Sequence, residues 1–130
     1  MNTDELKKQT KQFGLRCIKV TESLPNIQTS DVLGEQLLRA ATSVGANYRS
    51  ACRAQSRPTF ISKLAIAIEE ADESQFWLEM IVESGLMPQN KLEALMKESD
   101  EIVAILTASS KTAKANLRKA IRNQRSAITN

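Results

Sequence analysis

The chain has 130 residues, 42% of them hydrophobic and 25% charged, values that suit one globular domain with an ordinary core. It contains no histidine, which excludes imidazole-based catalytic triads and histidine-ligated metals. Four glycines and three prolines are too few for an all-β protein with a turn about every ten residues, and five aromatic residues are too few for base-stacking sheets.

Four amphipathic segments follow one another. The first runs from Asp4 to Ser23, with Leu6, Phe13, Cys17, Val20 and Leu24 at helical spacing. Asn2, with Glu5 three residues on, forms its cap, and Leu24-Pro25 ends it. The second is predicted to start at the capping residues Thr29-Ser30-Asp31 and to reach Gln55. Its buried stripe is Leu33, Leu37, Ala40, Ala41, Val44, Tyr48 and Ala51, while Ala40, Ala41, Gly45 and Ala46 let a neighbouring helix approach closely.

Ser56-Arg57-Pro58 opens the third segment, with the proline in the first turn, where its missing N–H costs nothing. Phe60, Leu64, Ala67, Ile68, Ala71, Leu78 and Ile81 carry it to a stop at Ser84-Gly85, with Phe76 and Trp77 expected to pack rather than to bind a ligand. Pro88-Gln89-Asn90 starts the fourth, whose apolar face is Leu92, Leu95, Met96, Ile102 and Leu106. The two middle helices are about 40 Å long at roughly 1.5 Å per residue. Long one-sided helices joined by short loops must lie antiparallel, so the predicted fold is all-α, an up-down-up-down antiparallel four-helix bundle. It spans residues 1–110, with 111–130 a basic C-terminal helix extension or tail.

The net charge of +3 hides a separation. In that topology Lys7, Lys8 and Lys11, then Arg49, Arg53, Arg57 and Lys63, then Lys111, Lys114, Arg118, Lys119, Arg122 and Arg125 share one pole. Thirteen cations against Asp4 and Glu5 leave +11 there, so the rest of the chain carries −8. Ten acids lie between Glu69 and Glu101, toward the other pole. Clustered Lys and Arg neutralise phosphates and release counterions, which points to an RNA or DNA backbone. In the tail, the cations recur every three or four residues, opposite a weak stripe of Ala113, Leu117, Ala120, Ile121 and Ile128. The alternative is a solvated tail that serves only solubility.

Other chemistry is poorly supported. Glu69, Glu70, Asp72 and Glu73 lie off the apolar stripe and read as a solvated or ion-paired face rather than a metal site, with Arg39–Glu73 the expected inter-helix pair. Ser43, Ser50 and Ser74 lack a base to activate them, and the scattered glycines make no phosphate loop. No catalytic residue, cofactor or metal is assigned. Cys17 and Cys52 form no metal or redox motif, Cys17 reading as a small core residue. With no signal-like or membrane-spanning run, the expected location is the cytoplasm, with both thiols reduced.

The run Glu35-Gln36-Leu37-Leu38-Arg39-Ala40-Ala41-Thr42-Ser43-Val44-Gly45-Ala46-Asn47-Tyr48-Arg49 resembles the signature of the bacterial four-helix bundle proteins of the 23S rRNA intervening-sequence family. The stretch from Phe60 to Gly85, with Lys63-Leu64-Ala65-Ile66-Ala67, Glu69-Glu70-Ala71-Asp72-Glu73 and Phe76-Trp77-Leu78-Glu79, resembles it too. The likeness covers residues 5–115. That family is similar to the accessory variability determinant of diversity-generating retroelements, a positively charged homopentamer that works with nucleic acid and a reverse transcriptase. The resemblance implies a non-enzymatic, ring-like homopentamer with nucleic-acid affinity. Ser50 departs from the glutamate usual at that place, and the tail beyond Leu117 exceeds the family pattern, so its role is not inherited.

The residues expected to contact nucleic acid are Arg49, Arg53, Arg57, Lys63, Lys111, Lys114, Arg118, Lys119, Arg122 and Arg125, as point charges or phosphate forks. Little sequence preference is expected. A protein-interaction scaffold, such as an accessory subunit of a reverse transcriptase using the acidic face, is the alternative.

Overall fold

In a computed structural model describing residues 2–129, the chain forms four helices: α1 (Thr3–Glu22), α2 (Gln28–Cys52), α3 (Arg57–Glu83) and α4 (Gln89–Thr129). There is no strand among the described residues. Met1 and Asn130, the outer ends of the two predicted regions, lie outside them.

The caps account for most of the boundaries. The Asn2 side chain accepts the Glu5 backbone N–H at 2.8 Å, satisfying one of the donors that a helix start leaves without an internal partner. At α3, Ser56 is the N-cap and accepts from the Thr59 backbone N–H at 3.2 Å, with Pro58 in the first turn as predicted. Gly85 stops that helix at φ +82°, a conformation that favours glycine.

Two boundaries of α2 differ from expectation. Its N-cap is Ile27, without a side-chain cap, so Thr29, Ser30 and Asp31 are already inside the helix. Ser30 instead turns toward the interior, where its hydroxyl is buried without a hydrogen-bond partner among the described residues. The other end comes at Cys52 rather than Gln55, because Ser56 must be extended to cap α3 and the chain needs residues 53–55 to turn.

One core joins all four helices. Phe13 and Cys17 from α1 meet Leu37, Val44 and Tyr48 from α2, Leu64, Leu78 and Ile81 from α3, and Leu92, Ile102 and Leu106 from α4. These are the stripes that helical periodicity picks out. Contact is broad from α1 to α2, α2 to α3 and α3 to α4, and thinnest between α1 and α4. Register can be read from individual positions. A Cβ on Gly14 would meet the Ala41 carbonyl at 3.3 Å, and one on Gly45 would meet Thr10 at 3.4 Å. As α1 advances, its partner position in α2 therefore recedes.

Ion pairs close the outer surface. Arg39 reaches Glu73, the expected partner, and also Glu70 at 3.2 Å, which fastens α2 to α3. Arg16 pairs with Glu98 across the thin α1–α4 seam, and the Ser99 hydroxyl donates to the Gln75 side chain between α4 and α3. The expected packing of Phe76 is only partial. Phe76 is 49% exposed, its edge set against the half-buried Trp77 ring, because the core side of α3 is already filled by Ala71, Leu78 and Ile81.

Burial pushes the Cys17 thiol up from 9.0 to about 12, helped by the Glu98 charge and opposed by Arg16. The unfolded thiol ionises first, so this contribution to stability is intact below pH 9 and declines between there and about 12. The decline is at most about 1.4 kcal/mol per pH unit. Urea midpoints should therefore fall in that window for the native chain and fall less for Cys17→Ala. Leu78→Ala, at a fully buried position, should cost about 2–5 kcal/mol in the same assay, whereas Phe76→Ala should change the stability of the isolated subunit by less than about 1 kcal/mol.

Candidate nucleic-acid interface

The end of α2, the start of α3 and the start of α1 meet at one tip. Arg49, in the last turn of α2, and Arg53, its C-cap, are both exposed, and both line a shallow recess with Ala46 and Ser50. Arg49 also borders a cavity of about 230 Å³ with Lys11, Thr10, Gly14 and Gly45. The two glycines bring the α1 and α2 backbones together there, and the cations of the two helices come with them.

Arg57, the first residue of α3, stands beside a larger cavity of about 540 Å³ lined by Thr3, Leu6, Tyr48, Cys52, Phe60, Ile105 and Ser109. These residues come from all four helices, so all four converge at this tip. Lys63 sits almost two turns further into α3 and is half-buried, at the edge of the group rather than in it.

The C-terminal cations divide. Ser99 bonds Gln75, and Phe60 shares a groove with Ile105, Ser109, Thr112 and Asn116, which sets Arg57 level with about residue 116. Lys111 and Lys114 therefore flank the tip. The helix then continues to Thr129, about 20 Å past it at roughly 1.5 Å per residue. Arg118, Lys119, Arg122 and Arg125 ride on this projection and are not gathered onto the tip surface, contrary to the expectation of one compact pole. The reason is length: α3 has 27 residues and α4 has 41, so α3 cannot cover the end of α4.

The tip is electrostatically one-sided. Arg49, Arg53, Arg57, Lys63, Lys111, Lys114, Arg118, Lys119 and Arg122 form no ion pair with a carboxylate among the described residues, where Arg16, Lys19 and Arg39 do. Asp4 and Glu5 are the nearby acids, and both lie in the first turn of α1, where negative charge offsets the helix dipole. Tyr48 remains a neutral phenol: burial, with Cys52 beside it, pushes its pKa up to about 12, while Thr3 pulls the other way. Uncompensated guanidinium and ammonium groups around a shallow, neutral surface can hold phosphate oxygens by charge-assisted hydrogen bonds.

Sequence reasoning named these cations but did not single out the Lys11–Arg49 neighbourhood. Its signal was present in the glycines at 14 and 45, of which only Gly45 was read as allowing a close approach. The acidic run contributes no ligand set: Glu70 and Glu73 are held by Arg39, and no grouping of three metal-ligating side chains occurs among the described residues. Among those residues no helix is long and apolar enough to cross a membrane.

The model of the 23S rRNA-intervening sequence proteins matches residues 3–108. No curated protein matches the chain. Among solved structures, a protein of unknown function from the S23 ribosomal protein family of Bacteroides thetaiotaomicron is similar at 36% identity and a TM-score of 0.80. The match covers 85% of this chain and 99% of that one. On the extent of the family match and of this structural likeness, the chain belongs to the 23S rRNA-intervening sequence protein family.

Proposed function

We propose that the protein is a non-enzymatic, cytoplasmic, nucleic-acid-binding homo-oligomer whose subunit is an up-down-up-down antiparallel four-helix bundle. The receding register between α1 and α2 supports that topology. The observation that carries the function is the meeting of Arg49, Arg53, Arg57 and Lys11 at one tip without a carboxylate partner among the described residues. Lys63, Lys111, Lys114, Arg118, Lys119, Arg122 and Arg125 extend the same cationic surface. Cations arranged without a groove-reading element at the tip hold RNA or DNA through phosphates, with little sequence preference.

Self-association is supported by α3. Ile66 is 40% exposed, Phe76 49% and Met80 38%, so this helix is apolar outside its core stripe as well as within it. An exposed apolar face of that kind marks an interaction surface. The homopentamer is the assembly that family resemblance favours.

A second reading, an accessory scaffold for a reverse transcriptase as in the diversity-generating retroelements, draws on the same half of the molecule. Phe76 and Met80 lie within the acidic stretch from Glu69 to Glu101, where an apolar and charged surface suits a protein partner.

Replacing Arg49, Arg53 and Arg57 together by Gln should make log K against log salt shallower by about 2–3, at roughly 0.7–0.9 for each phosphate no longer neutralised. A scaffold would keep its protein partner in that variant. Salt-insensitive binding by the native chain, or none at low salt, would count against phosphate recognition. Phe76→Ser should lower the mass in solution, by light scattering, with the far-ultraviolet circular dichroism unchanged; an unaltered mass would remove α3 from the assembly.

A further inference from the structure

The projecting end of α4 is the part of the molecule that family membership leaves unexplained. The family model stops at residue 108, and the Bacteroides structure is matched over nearly its whole length by 85% of this chain. Yet α4 runs on as one helix to Thr129, and none of residues 111–128 is buried. After Glu101 the chain has no acidic residue at all, while it carries Lys111, Lys114, Arg118, Lys119, Arg122 and Arg125.

We propose that the projecting end of α4, residues 117–129, forms a major-groove arm for duplex DNA, with Lys111 and Lys114 at its base. Three physical features lead there. The first is shape. A single helix with side chains is about 10–12 Å across, and the major groove of B-form DNA is about 12 Å wide. The four-helix tip is at least two helices wide, at about 8–10 Å between axes, and cannot enter it. The deep, narrow major groove of A-form RNA does not admit a helix, so the arm selects DNA among duplexes.

The second feature is the distribution of side chains around the arm. At about 100° per residue, Lys111, Lys114, Arg118, Arg122 and Arg125 fall within a strip of about 80°. Lys119 and Asn123 lie about 60° and 100° beyond the Arg122 edge of that strip, with the small Ala115 between the two sets. A narrow small-residue surface flanked by donors is what a helix needs in order to approach base edges while its flanks hold the two phosphate walls.

The third feature is continuity with the tip. Lys111 and Lys114 flank the tip that carries Arg49, Arg53 and Arg57, so with the arm in the groove the tip faces the adjoining backbone. A basic helix running out of a helical bundle into the major groove is an arrangement other folds use, an analogy of geometry only.

This inference deepens the reading of the tip as a phosphate-binding surface but can fail separately from it. The test compares the full chain with residues 1–110, a span that includes everything the family model matches, and with the full-length variant Lys111, Lys114, Arg118 and Arg122→Gln. Binding is measured by fluorescence anisotropy on a DNA duplex, an RNA duplex of the same sequence, and a DNA duplex carrying bulky C5-pyrimidine substituents, which fill the major groove.

The full chain should prefer the unmodified DNA duplex by about tenfold or more over both others, a gap of roughly one good base contact. Both altered chains should lose that preference. The four-site variant should also have a salt slope shallower by about 3–4. Weak, non-selective binding by residues 1–110 would leave the tip reading intact, and its absence would discard the tip while the arm stands. Equal affinity of the full chain for the three duplexes would overturn the arm. So would a preference that survives removal of residues 111–130, or a truncation that lowers the mass in solution and leaves nucleic-acid binding untouched.

Discussion

Four helices, each carrying an apolar stripe, can remove those stripes from water only by facing one another, and nearly everything else in the molecule follows from that burial. Phe13, Leu37, Leu64, Leu78, Ile102 and Leu106 are fully buried, and each comes from a stripe that would be exposed if its helix stood alone. At roughly 25 cal/mol per Å² of apolar surface, burial of this kind outweighs anything the exposed ion pairs supply. Short connections of a few residues, at 23–27, 53–56 and 84–88, leave little freedom in how the stripes are matched. Matching them brings the start of α1, the end of α2 and the start of α3 to a common level, with Thr3, Tyr48, Ser56 and Phe60 around one cavity.

The charges on the outside are carried along by this packing. Arg49 and Arg53 are near Lys11 because Gly14 and Gly45 allow α1 and α2 to approach, not because the cations attract one another. Gathering them is electrostatically unfavourable, a cost held down by exposure and solvent screening. The midsection is arranged the other way, with Arg39 shared between Glu70 and Glu73, and Arg16 meeting Glu98. Neutralised flanks and an uncompensated tip give the molecule a polarity along its axis that +3 alone does not reveal.

Much of the fold is legible in the residues because helical burial repeats at short range. Leu6, Phe13, Cys17 and Val20 announce one face of α1, Ser56-Arg57-Pro58 announces the start of α3, and Gly85 its end. Arg39–Glu73 could be foreseen from antiparallel pairing about a known turn. Glu70 escaped because choosing between two carboxylates one turn apart needs the side-chain path. Phe76 also escaped: α3 is apolar on several sides, so periodicity could not say which aromatic faces in. In the candidate site, the cations were legible as clusters, but their division between a tip and a projecting arm was not.

By itself, then, the sequence determined the number of helices, their buried stripes, their principal breaks and the sign of the charge in each segment, since all of these depend on neighbours within a turn or two. Only the tertiary structure decided where the clusters end up. The level of Arg57 against α4 depends on how side chains interlock around Gln75 and Ser99, and on α4 outrunning α3. A difference in length between two helices is visible in the residues only once it is known which ends are aligned, and alignment is a property of packing.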